Sequence, residues 1–235
     1  MYLSKEFLEW PYADRESTGV DYELLIRAHD MWRHAQNRLK EEPSEFDLVD
    51  CISALKRAVN SRLKTLDRTY NLSALSSLRP KKQVLEKYQD YGLIRPAILK
   101  DLFDVRNLLE HEGIAPPSAV SCRYYVDIVW YFIKSTDSLL QMKCDSLVYG
   151  NDRSEIFIGP DENWNFAFNG KLEKSLLSDI DKDQFVEITD VIIRELDNDA
   201  AIVRISAAFK MDDELRIKMA REYFGAVNYW YEDHA

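Results

Sequence analysis

The chain has 235 residues, with 31 Lys+Arg against 41 Asp+Glu and a formal net charge of −10. Its 46% apolar and 31% charged residues match a soluble globular protein and exclude a disordered one. Seven Gly and seven Pro exclude collagenous and low-complexity chains, and the longest apolar run, 124–133, is broken by Asp127 and too short to cross a bilayer. The N-terminus lacks a basic stretch followed by an apolar one, so a cytoplasmic location is expected. Cys51, Cys122 and Cys144 are widely spaced and read as reduced core residues, not as a zinc ribbon or disulfide scaffold.

Charge is unevenly distributed. Residues 1–145 hold 21 Lys+Arg and 22 Asp+Glu, whereas residues 146–235 hold 10 and 19. Between Lys56 and Lys100 the sign reverses, with eleven basic residues against Asp67, Glu86 and Asp90. Such a stretch can meet phosphates, although taken by itself it reads as a solvated helix face with Lys/Arg on its outer side.

Residues 1–145 read as helices. A 3.6-residue apolar period over 21–42 (Leu24, Ala28, Met31, Ala35, Leu39) predicts the first helix, which Pro43 ends. Ser44 is placed to cap a second, striped by Phe46, Val49, Ile52, Leu55, Val59, Leu63 and Leu66. A polar loop over 71–79 precedes a short helix starting at Pro80 and ending near Tyr91-Gly92. A further helix is expected over 96–111, closed by Gly113 and Pro116-Pro117. The last, 118–142, is apolar nearly all round in its middle, as expected of a helix buried on more than one side or shared with a second subunit.

Beyond Lys143 short strands are expected over 154–158 and 164–168, and a hairpin over 185–195 and 200–210. Residues 172–180 and 212–224 read as helical. The expected fold class is therefore α+β: an antiparallel helical bundle over 1–145, then a small acidic α+β domain over 146–235.

Of the four histidines, His29 and His34 lie inside the first helix and His234 is next to last. They do not form a zinc set, so no metal and no cofactor are expected; Asp179, Asp181, Asp183 and Asp190 read as a solvated acidic turn, not a Ca²⁺ loop. The segment Asp104-Val105-Arg106-Asn107-Leu108-Leu109-Glu110-His111 stands out. It resembles the R-x4-6-H motif of the HEPN superfamily, in which a polar residue follows the Arg at a helix end before a long apolar helix. The resemblance covers residues 1–145 only. It implies a helical bundle that forms a homodimer and cleaves RNA without metal, as a toxin or antiviral defence effector. Arg106 would hold the phosphate, Asn107 would orient it or the imidazole, and His111 would transfer the proton. Members silenced by nucleotidylation carry Tyr two residues after the His; here Gly113 stands there, so that regulation is not implied.

Arg27 and His34 also satisfy the spacing, mid-helix and without the Asn. On an ideal helix Asn107 and His111 share a face, whereas Arg106 and His111 lie about 140° apart. Arg79, Lys81 and Lys82 are weaker candidates for RNA phosphates, and the acidic second domain for recruiting a protein partner. The alternative to an endoribonuclease is a non-catalytic HEPN-like module binding RNA, a nucleotide or a protein.

Overall fold

The chain passes between two units twice, at Thr18–Gly19 and at Lys143–Cys144, in a computed structural model. One unit is Gly19–Lys143; the other joins Met1–Thr18 to Cys144–Ala235. The structure describes all residues except 11, 20, 21, 40, 41, 95, 96, 112, 113, 182, 197, 198 and 235. Side chains at 12–16, 22, 24, 97, 98, 110, 111 and 226–234 are also outside the description.

The first unit is helical: α1 (Tyr22–Arg38), α2 (Glu45–Tyr70), α3 (Leu72–Ser77), α4 (Val84–Asp90), α5 (Ala97–His111) and α6 (Ala119–Gln141). Ser44 caps α2 in a capping box: its Oγ accepts from the Asp47 N–H, and the Asp47 carboxylate accepts from the Ser44 N–H. Asn71 ends α2 in the left-handed region (φ 49°), so the expected polar loop instead restarts as α3. The following helix starts at Val84 rather than Pro80, with Gln83 and Glu86 forming its capping box. α2 is the hub against which α1, α5 and α6 pack. Its stripe of Ile52, Leu55, Val59 and Leu66 is buried, as are Val129 and Ile133 of α6. Cys51 and Cys122 are free thiols within this core.

A charged group crosses the same core. Arg62 Nη2 donates to Asp137 Oδ1 at 2.8 Å and reaches the Leu25 carbonyl at 3.4 Å. His29 Nε2 lies 3.0 and 3.1 Å from the two Asp137 oxygens, and Lys134 Nζ is 3.5 Å from Oδ2. Burial pulls the Arg62 pKa below its ordinary value while Asp137 opposes this. Among the described residues nothing partners Arg62 Nε and Nη1.

The second unit is built on a sheet: β1 (Tyr2–Ser4), β2 (Tyr12–Gly19), β3 (Met142–Gly150), β4 (Glu155–Pro160), β5 (Phe166–Glu173), β6 (Leu177–Ser178), β7 (Phe185–Leu196) and β8 (Asp199–Phe209). Their order across the sheet is β2-β3-β4-β5-β8-β7-β1-β6 among the described residues. The central ladders from β3 through β4, β5 and β8 to β7 are antiparallel. A helix, α7 (Asp213–His234), follows. One sheet face buries Ile156, Phe166, Phe168, Val203, Ile205 and Phe209, and Tyr223 and Phe224 of α7 are buried with Trp164. Thr18 Oγ1 hydrogen-bonds Asp145 Oδ2, joining residues beside the two crossing points of the chain.

The fold is thus mixed helix and sheet, with three further departures from the sequence reading. Residues 1–18 hold β1, a 3-10 turn (Lys5–Glu9) and most of β2, and belong with the strands rather than the helices. Three-residue β1 is too short to show a period, and a single buried residue, Leu3, secures it between β7 and β6. β3 continues directly from α6, so no breaker marks its start. Residues 172–180 are not a helix: they finish β5, make a 3-10 turn (Lys174–Leu176) and form β6. Their apolar residues fit a helical stripe, but the β5–β8 ladder takes Leu172 and Glu173. Among the described residues no helix is long and apolar enough to cross a membrane.

Candidate functional site

α5 carries the segment singled out from the sequence. Its inner side is anchored by Leu99 and Leu102, both buried, which leaves Asn107 and Leu108 exposed and Arg106 half-buried. Facing it, α2 presents Lys56, a residue the motif did not include. Lys56 Nζ donates to Asn107 Oδ1 at 3.0 Å and lies 5.4 Å from the centre of the Phe103 ring. Burial and, next, the charge of Arg106 pull the Lys56 pKa below its ordinary value. Two cations therefore stand close enough to repel, one of them hydrogen-bonded to an amide, at a half-exposed surface. That arrangement favours an anion, because a phosphate bridging both would relieve the repulsion.

The structure thus brings Arg106 and Asn107 together with Lys56. His111 is the last residue of α5, and its side chain lies outside the described residues, as does Gly113. Of the weaker candidates, Lys82 is held by Asp90 at 2.6 Å, and Lys81 is exposed. Arg79 is half-buried and acts electrostatically on Tyr91. All three belong to the segment that connects α3 to α4.

The second occurrence of the spacing lies in a cleft. Arg27 and His34 are seven residues apart, two helical turns, so both project from one face of α1. With Asp30, Met31, Ala54 and Arg57 they line a cavity of about 380 Å³ between α1 and α2. Asp50 lies 3.0 Å from His34 Nε2, 2.7 Å from Arg38 Nε and 3.6 Å from Arg57 Nη2. A carboxylate orienting an imidazole beside arginines is an arrangement that can move a proton near a bound anion. The sequence signal for it, R-x6-H with both ends on one helix face, is present; what the sequence does not show is that Arg57 of α2 completes the cleft and that Asp50 pairs with His34.

No family model matches the chain, and comparison with curated proteins and with solved structures returns no similar protein.

Proposed function

We propose that the helical unit is a metal-independent endoribonuclease of HEPN type, with Arg106, Asn107 and His111 as its reacting end. The observation that carries this reading is the Lys56–Asn107 hydrogen bond beside Arg106, a paired-cation surface on the helix that ends at His111. In the reaction the ribose 2′-oxygen attacks the adjoining phosphorus and the 5′-oxygen leaves. An imidazole takes the 2′-hydroxyl proton, and a proton is returned to the leaving oxygen. Arg106 and Lys56 hold the phosphate oxygens as their charge grows, and Asn107 fixes their orientation.

A second assignment of residues is favoured by the α1–α2 cleft, where His34 already has an orienting carboxylate. One experiment separates the two. The full chain is incubated with a labelled RNA in EDTA, alongside Arg106→Ala, His111→Ala and His34→Ala. Loss of cleavage in the first two with His34→Ala active supports the α5 site; the reverse pattern supports the cleft. Binding without cleavage by the unaltered chain would leave the non-catalytic module as the reading.

A further inference from the structure

The strand unit is strongly acidic, with 12 Lys+Arg against 24 Asp+Glu in residues 1–18 and 144–235. Most of its described cations are engaged: Arg153 with Glu173 and Asp199, Lys174 with Glu195, Lys210 with Glu187. Four are not. Lys218 of α7 is one; the other three, Lys171 of β5, Arg204 of β8 and Arg194 of β7, are exposed strand residues, and among the described residues none of the four has a side-chain hydrogen bond or ion pair.

The three strand cations stand in one row. Lys171 is directly opposite Arg204, and Arg204 is directly opposite Arg194. Like charges in opposed positions destabilise a sheet, and carboxylates to separate them are abundant in this unit. Glu155 on β4 is opposite Lys171 yet forms no ion pair with it. The row also depends on a bulge. Between Thr189↔Ala208 and Ile192↔Ser206, β7 advances three residues and β8 two, with Asp190 in the left-handed region at φ 51°. Without the extra residue Ile193 would oppose Arg204, and Arg194 would turn toward the core. The bulge creates the like-charge pair, and bulges that re-aim side chains are common beside functional sites.

A second row runs parallel to the first: Phe157, Asn169, Ser206 and Ile192, opposed in turn. Both rows line a cavity of about 420 Å³ on this face. Asn169 and Ser206, short and polar, form its middle, and among the described residues their side chains make no hydrogen bond. Phe157 forms one flank.

We infer that this sheet face binds a nucleotide, free or within a strand, with its phosphates on Lys171, Arg204 and Arg194 and its base against Phe157. Strand spacing sets the three cations along about 10 Å, and Phe157 about 12 Å from Arg204 between Cα atoms, a span that a nucleotide and two long side chains bridge. The bound phosphates remove the repulsion along the row, Asn169 and Ser206 supply a donor and an acceptor for sugar or base, and the ring supplies a stacking surface. The site lies in the strand unit and is independent of the ribonuclease reading.

The test reads Lys171 itself in the full chain, by mass-spectrometric quantification of its acetylation. Probes are inorganic pyrophosphate, ADP and a 2′-O-methyl oligonucleotide, the last separating a strand from a free nucleotide. ADP or the oligonucleotide should protect Lys171, and Arg194→Gln with Arg204→Gln should weaken protection at least tenfold. Phe157→Leu should weaken nucleotide protection while sparing pyrophosphate. Arg204→Gln alone should raise the melting temperature, confirming folding and the repulsion in the row. Absence of protection by all three probes, protection by pyrophosphate alone, or equal protection in the double variant would overturn the inference.

Discussion

Trp164 is buried with φ at 61°, and its indole meets the Tyr223 ring edge-on at 5.7 Å. A bulky side chain in the left-handed region is strained. Here it is held by Phe166, Tyr223 and Phe224, with ring centres at 6.1, 5.7 and 5.2 Å, and by the Trp164 N–H donating to the Asp161 carbonyl. Packing outweighs the strain, so Trp164→Ala is expected to cost about 3–5 kcal/mol by urea unfolding. Trp164→Gly relieves the dihedral but forfeits the same burial, and should remain well below the unaltered protein.

Asp161 organises the same turn, accepting from the Asn163 and Asn165 N–H groups and from Asn165 Nδ2. Partial burial pushes its pKa up, but these hydrogen bonds outweigh it and the net direction is down. The folded pKa is below the unfolded one, so its stabilisation is present above the unfolded value and lost as pH falls through the folded value. Asp161→Ala should therefore destabilise at pH 7, and the difference from the unaltered protein should shrink below about pH 4. Thermal melts across that range check it.

Removing Asp137 strands Arg62, which is 1% exposed. Asp137→Ala should cost about 3–5 kcal/mol, whereas replacing both residues with apolar ones of similar volume should recover most of the loss. A double-mutant cycle in urea measures the coupling.

Lys56 gives the α5 surface a pH dependence. Its depressed folded pKa means that its charge weakens the fold at neutral pH, a cost relieved as pH rises through the folded value toward the unfolded one. A bound anion favours the charged form, so affinity runs the other way and falls as the ammonium deprotonates. Binding of an uncleavable 2′-deoxy oligonucleotide should weaken as pH rises toward the ordinary lysine value of about 10.4, the loss beginning below that value, and Lys56→Arg should flatten that profile. Fluorescence anisotropy is the measurement.

α6 leaves Val120, Tyr124 and Tyr131 exposed by 61, 66 and 68% along one side. We propose this stripe as the contact with a second copy. Light scattering at micromolar concentration should return twice 27.5 kDa, and Tyr124→Lys with Tyr131→Lys should return the monomer mass.

The helices were legible where apolar spacing and capping residues agreed, as in α2 with Ser44. The 185–210 hairpin was legible for the same reason, since its alternation is long enough to fix one face. β1 and β6 were not, because strands of three and two residues are stabilised by neighbours far along the chain rather than by their own pattern. At the candidate site, Arg106 and Asn107 followed from a motif. Lys56 did not, being 51 residues from Asn107 and joined to it only by helix packing. The register of Lys171, Arg204 and Arg194 was equally hidden, since it depends on one bulged residue in β7.

β1 sits between β7 and β6, so Leu3 pairs with Val186 and Leu177. During synthesis those partners emerge more than 170 residues after it. The helical segment, Gly19–Lys143, lies wholly within that interval, and its local contacts let it form first. Once compact it shortens the effective loop between the two parts of the sheet, lowering the entropy of closing it. The helices therefore act as a folding clamp for strands they interrupt, and lesions in α2 should slow sheet assembly as well as weaken the bundle.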